Sequence, residues 1–185
     1  MSNEKAIPPI TSEFKAKGIM EEKGVRITDR GSMDALSQRG YGTKENEVFT
    51  LTLYEALYLV DKKMLEVKGG KSAEVNFQDL LQAYEKVDEN AWGHYLVYRD
   101  LRSRGYVVRE GFGAAIDFRI YERGTYGKDT ATSLVLSTQE GKPMPMEELT
   151  NALSQCQSLN KEMVLAVMNR RGEIVYYSVS PLSFK

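Results

Sequence analysis

The 185-residue sequence contains one cysteine, Cys156, and one histidine, His94. Those two residues set the first limits on its chemistry. A lone cysteine excludes an internal disulfide and fits a reducing, cytoplasmic setting. One cysteine with one histidine cannot build a Cys/His zinc site, so neither a metal nor a cofactor is expected. Cys156 falls in a helical stretch and reads as a small core residue, the habit of free cysteine. His94 reads as a surface or core-edge residue. Gly111 and Gly113 are too sparse for a phosphate cradle and read as a turn. Charge is more suggestive: six arginines and four acidic residues fall between Arg99 and Arg123. That segment is either a solvated face or a local basic patch, with Arg119 and Arg123 as its candidate contacts to nucleic acid. The net charge of −1 lacks the basic excess of a chain that grips RNA strongly on its own.

These residues need elements to position them. The first twenty have no sustained period, although Ser12-Glu13-Phe14 could open a short strand or turn. Gly24 to Thr28 alternates as a strand, and Asp29 or Ser32 then caps a short helix through Leu36, stopped near Gly40 and Gly42. Val48 to Thr52 reads as a strand. Leu53 to Asp61 reads as an amphipathic helix with Thr50 or Thr52 as its cap. Leu65 to Val67 is a short strand before Gly69-Gly70, and Phe77 to Lys86 is a helix with Phe77, Leu80, Leu81 and Tyr84 on one face. The polar seam Lys86 to Asn90 divides the chain. Beyond it a helix through Trp92, Tyr95, Leu96 and Arg99 ends at Gly105, a residue suited to the position just past a helix. Strands follow at Tyr106 to Arg109, Ile116 to Tyr121 and Ser133 to Leu136, the last two separated by a Gly-rich loop, Gly124 to Gly127. A helix, Met146 to Leu159, precedes a buried strand, Glu162 to Met168. The hairpin turn Asn169 to Gly172 leads to the last strand, Glu173 to Val179. Composition is that of an ordinary globular protein, 42% hydrophobic and 28% charged, and the length suffices for a real core. The expected fold class is α/β (α+β) in two small mixed domains, residues 1–87 and 88–185, the second ordered α-β-β-β-α-β-β. The polar start, Met1 to Lys5, lacks an apolar signal segment, and no apolar run is long enough for a membrane span.

Tyr95-Leu-Val-Tyr-Arg-Asp-Leu-Arg-Ser-Arg-Gly-Tyr-Val-Val-Arg109, then Gly111, then Asp117-Phe-Arg-Ile-Tyr121, resembles the signature of archaeal tRNA-splicing (tRNA-intron) endonucleases. A second stretch, Ser158-Leu-Asn-Lys161, an apolar strand and Gly172-Glu-Ile-Val-Tyr-Tyr177, is similar as well. The likeness covers residues 89–180, and residues 40–85 look like that family's smaller N-terminal domain. It implies a C-terminal mixed sheet with flanking helices, acting on precursor tRNA at bulge-helix-bulge sites.

Cutting RNA to a 2′,3′-cyclic phosphate without metal needs a base for the 2′-hydroxyl, an acid for the leaving 5′-oxygen and a cation for the phosphorane. The resemblance assigns these services to a tyrosine, a histidine and a lysine. Tyr121 matches the tyrosine and Lys161 the lysine. The histidine is missing: in the corresponding segment, Lys128 to Val135, Thr130 stands closest to its place, and a threonine hydroxyl does not titrate near neutral pH. A base-stacking arginine that the family carries on its crossing helix corresponds here to Ser154. Because the family includes heteromeric forms, the resemblance implies a structural, non-catalytic subunit in a heterotetramer of two plus two with a catalytic relative. The alternative is an active nuclease using Tyr121 and Lys161 with a different acid or base. By the same resemblance the final strand (Ile174, Val175, Tyr176, Tyr177, Val179) would pair with a partner subunit. The loop carrying Glu140, before the helix at Met146, would dock into another.

Overall fold

The computed structural model describes residues 14–70, 73–113 and 115–182, which form two compact units divided between Glu89 and Asn90. The strand or turn expected from Ser12 and Glu13 falls outside the described residues.

Among the described residues the first unit is a six-stranded sheet carrying three α-helices: β1 (Ala16–Glu21), β2 (Gly24–Ile27), α1 (Arg30–Gln38), β3 (Thr43–Glu45), β4 (Val48–Leu51), α2 (Leu53–Asp61), β5 (Leu65–Lys68), β6 (Glu74–Val75) and α3 (Phe77–Glu85). The strand order is β3-β4-β2-β1-β5-β6. Each helix begins at a side-chain cap. Asp29 accepts from the Ser32 N–H, Thr52 and Glu55 form a reciprocal capping box, and Asn76 and Asp79 form another. Such caps satisfy N–H groups that have no partner inside the helix. Glu55 does more than cap. Only 2% exposed, its carboxylate also accepts from the Gly42 N–H at 3.2 Å. Gly42 itself has φ +68°, and a Cβ there would stand 2.4 Å from the Phe49 ring, so this corner requires glycine.

The second unit comprises α4 (Ala91–Ser103), β7 (Val107–Phe112), β8 (Ile116–Tyr121), β9 (Ser133–Gln139), α5 (Met146–Ser158), β10 (Glu162–Met168) and β11 (Ile174–Val179). Its mixed sheet runs β11-β10-β9-β8-β7, with β9 parallel to β10 and the other neighbours antiparallel. Helix α5 is the crossover that a parallel pair demands. Ala152 and Cys156 of α5 pack with Ala115, Ile116, Leu134, Leu136 and Met163 in one core cluster, and burial pushes the Cys156 thiol pKa up. Helix α4 buries Tyr95, Leu96, Tyr98 and Leu101, the Tyr98 ring lying 6.2 Å from that of Phe118.

Two expectations need correction. The segment before Gly24 contains a strand, β1, which pairs antiparallel with β2 and parallel with β5. Gly111 does not turn the chain: it lies within β7, and a Cβ there would stand 1.8 Å from the Ile116 carbonyl oxygen. Only Gly113, at φ +67°, belongs to the turn.

Candidate functional site

Strand pairing decides which polar residues meet. Ile120 is paired with Ser133, and Ser133 with Glu162. The C-terminal end of β8 and the N-terminal ends of β9 and β10 therefore share one end of the sheet, bringing together Tyr121, the segment before Ser133, and Lys161. The Lys161 Nζ donates to the Thr130 Oγ1 at 2.6 Å. Local geometry fixes both partners. Asn160 leaves α5 through the left-handed region, φ 52°, and the Lys161 N–H closes back on the Cys156 carbonyl at 2.8 Å. Thr132 anchors the other side, its N–H donating to the Ile120 carbonyl at 2.8 Å and its hydroxyl to the same oxygen at 3.2 Å. Tyr121 stands on β8, two strands from β10, about 10 Å of backbone spacing.

The Tyr121 ring meets that of Tyr126 edge-on, centroids 5.1 Å apart at 90°, and the Arg109 guanidinium lies 6.0 Å from the Tyr126 ring centre. Sequence reasoning gave neither Tyr126 nor Arg109 a place at the site, although Arg109 closes the first quoted stretch of family likeness. The available signal was an aromatic residue between Gly124 and Gly127, in the loop that links Tyr121 to Thr130. The two arginines singled out from the sequence are engaged elsewhere. The Arg119 Nε donates to the Glu110 carbonyl at 2.8 Å. Arg123 is laid against Gly105, where a Cβ would stand 2.3 Å from its Nη2. At the position expected for a base-stacking cation, the Ser154 hydroxyl turns back onto the Thr150 carbonyl of its own helix at 2.8 Å.

The histidine lies elsewhere. The His94 Nε2 is 3.4 Å from the Asp117 Oδ1, at the start of β8, and its ring meets Phe118 edge-on at 6.0 Å. The second Asp117 oxygen accepts from the Ser137 N–H at 2.6 Å and the Ser137 hydroxyl at 2.7 Å. Ladder pairing of β8 with β9 ends at Phe118–Val135, and the carboxylate supplies the acceptor that the Ser137 N–H needs. Burial alone would push the Asp117 carboxyl up; the bonds from His94 and Ser137 outweigh it and hold the carboxyl below the usual aspartate range.

Strand β11 ends the sheet order with β10 as its only neighbour among the described residues. Val175 and Tyr177 are 48% and 53% exposed. Tyr176 faces inward, its hydroxyl donating to the Asp100 Oδ2 at 2.8 Å while the Arg104 guanidinium lies over its ring. Burial and the Asp100 carboxylate push this phenol far above its ordinary pKa. Val179 packs on the α5 core cluster. Glu140 lies just past β9 and is exposed. Among the described residues no group of three His, Cys, Asp or Glu side chains is placed to hold a metal ion. Among the described residues no helix is long and apolar enough to cross a membrane.

Fold and site together define an α+β protein of two mixed units whose second sheet gathers a phenol, a hydroxyl and an ammonium at one end. Comparison with known proteins makes the class particular. The sequence model for the tRNA intron endonuclease catalytic C-terminal domain matches residues 91–176, and that for the N-terminal domain of the same enzymes matches residues 16–81. A tRNA-splicing endonuclease of Methanococcus vannielii is 32% identical over 163 residues, 88% of this chain and 92% of the relative. One of Pyrococcus furiosus is 34% identical over 146 residues, 79% and 84% of the two chains. The chain belongs to the tRNA intron endonuclease family.

Proposed function

We propose that this chain is the structural, non-catalytic subunit of a tRNA-splicing endonuclease, assembled with a catalytic relative that cuts precursor tRNA at bulge-helix-bulge sites. The observation that carries the reading is the 2.6 Å bond from Lys161 to Thr130. At the sheet end where acid–base chemistry would need a group that titrates near neutral pH, the lysine is matched with a hydroxyl. The only histidine of the chain is held against Asp117 at the opposite end of β8, about 13 Å of strand away. Ser154, bonded into its own helix, supplies no stacking cation.

The rest of the surface suits a scaffold. An edge strand exposing Val175 and Tyr177 offers unpaired backbone groups and an apolar face to another sheet edge. In this reading Tyr176, tied to Asp100, contributes its backbone and not its ring, and Glu140 belongs to a loop that docks into a neighbouring subunit. The alternative, an active nuclease with a non-histidine acid or base, rests on Tyr121 and Lys161 sharing one sheet end.

The deciding experiment is cleavage of a bulge-helix-bulge RNA by this chain alone, by a catalytic relative from the same source alone, and by the two co-expressed. Cutting that requires the mixture is expected. Cutting by this chain alone overturns the reading. A restored general acid or base typically contributes 10²–10⁴-fold, whereas Thr130→His is expected to raise cleavage by this chain alone by less than about tenfold, because Ser154 remains.

A further inference from the structure

We infer that a notch at the opposite end of the same sheet is a binding site for an unpaired guanine base with its phosphate. There β9 and β10 run out at Gln139 and Met168, and the 169–172 turn and the first turn of α4 rise beside them around a cavity of about 200 Å³. Leu96 and Met168, 4% and 7% exposed, make an apolar floor. Gly172, at φ +80°, brings the turn close to it, for a Cβ there would lie 3.6 Å from the Leu96 Cδ1. The Trp92 indole forms one wall, 44% exposed and leaning on Tyr95 at 5.5 Å. The other lining groups that carry charge are Glu140 and Arg170.

Those two charges are held on a fixed frame yet are not spent on each other. The Glu140 N–H donates to the Met168 carbonyl at 2.8 Å. The Asn169 side chain locks the turn under Arg170: its Oδ1 accepts from the Arg171 and Glu173 N–H groups at 2.9 and 3.0 Å, and its Nδ2 donates to the Glu173 Oε2 at 2.6 Å. No ion pair or side-chain hydrogen bond among the described residues joins Glu140 or Arg170 to any group. A ligand that satisfies both presents donors on one edge, negative charge elsewhere and a flat apolar face between.

Guanine has that layout. Its N1–H and N2–H are adjacent donors, which one carboxylate accepts together. Adenine and cytosine set a ring acceptor beside the exocyclic donor, and uracil flanks its N–H with two carbonyls, so each would turn a lone pair toward Glu140. The indole stacks on the base, and the Arg170 guanidinium meets the phosphate. An unpaired guanosine in RNA and a free guanine nucleotide share this chemistry.

Trp92 is the only tryptophan, so its fluorescence reads the site directly. The full chain, without a partner because Glu140 also belongs to the proposed docking loop, is titrated with guanosine monophosphate, adenosine monophosphate, guanosine, and short single-stranded RNAs with and without one G. Excitation is at the red edge of the indole band, where nucleotides do not absorb. Expected is saturable quenching by guanosine monophosphate, with adenosine monophosphate about tenfold weaker or worse. Glu140→Gln should weaken the guanine nucleotide about tenfold and leave the adenine nucleotide unchanged. Arg170→Ala should make guanosine monophosphate bind no better than guanosine. Both substitutions are at exposed positions, and an unchanged circular dichroism spectrum verifies folding. Tighter binding of the G-containing RNA than of the mononucleotide assigns the site to RNA; the reverse assigns it to a free nucleotide. Equal quenching by both nucleotides, no saturable change, or a change produced only by a protein partner overturns the proposal. Neither cleavage nor assembly enters the measurement, so its outcome is separate from that of the subunit reading.

Discussion

Strand β8 has Asp117 near one end and Tyr121 at the other, and the polar groups around them live in different worlds. At the Asp117 end, a half-buried carboxylate engages the His94 imidazole of α4 with one oxygen and Ser137 of β9 with the other. At the Tyr121 end, the Lys161–Thr130 bond is exposed, and the phenol is in contact with another aromatic ring on a glycine-flanked loop. A histidine, the residue type best suited to proton transfer at neutral pH, is therefore present in the chain but serves the packed end. Residue type alone does not make a catalytic group. Partial burial and hydrogen bonding to neighbours turn a reactive side chain into a structural one, while a less reactive set remains open to solvent.

That contrast can be broken by mutation. The largest effect is expected for Asp117→Ala, which strips the acceptor from the Ser137 N–H and hydroxyl and the partner from His94. Loss of a half-buried, charged acceptor of this kind costs about 2 kcal/mol, to be read from urea unfolding. A loss below about 1 kcal/mol would erase the distinction between the two ends.

Acid sharpens the same comparison. Because the Asp117 carboxyl is held below its ordinary range in the folded chain, the unfolded chain takes up that proton more readily. The stability it contributes is whole above the unfolded aspartate value, about 4, and is lost as pH falls through the lower folded value. Stability of the unmodified chain should therefore drop on acidification below about pH 4, and Asp117→Asn should flatten that part of the curve. An identical acid limb in the variant would show that other carboxyls set it.

The smallest effect belongs to the open end. Lys161→Ala and Thr130→Ala should each change unfolding free energy by no more than about 0.5 kcal/mol, as for surface substitutions generally. A loss comparable to that of Asp117→Ala would mean that the Lys161–Thr130 bond is structural cement, and the reading of that end as a vestigial site would go with it.

Local chemistry made much of the fold legible. Asp29 or Ser32, Thr50 or Thr52, and Gly105 after the Tyr95 helix mark helix ends because the orphan backbone groups there must be met by nearby residues in sequence; the structure selects Asp29 and Thr52. Helix α5 and β10 were equally plain from their apolar patterns. Strand β1 was not. Its segment, Ala16 to Glu21, has little strand character of its own. It becomes a strand because β2 and β5 flank it, with Gly18 so close to Val25 that a Cβ would stand 2.3 Å from the Val25 Cγ1. Gly111 misled for the same reason: a glycine that admits a neighbouring backbone looks, in one dimension, like a glycine that turns. At the candidate site, Tyr121, Thr130 and Lys161 were found through family likeness, whereas Tyr126, Arg109 and the His94–Asp117 pairing had no period or spacing to reveal them.

The sequence by itself determined the two mixed units and most helix boundaries, since these follow from local caps and apolar periods; that the one histidine lies against Asp117 and not beside Lys161 was decided by the fold. Only the tertiary structure decided which groups face each other across strands. Thr130 is 31 positions from Lys161, and Ser137 is 20 from Asp117. Such pairs are set by sheet register, and register is fixed when whole faces are buried together, not by any property of the residues that end up in contact.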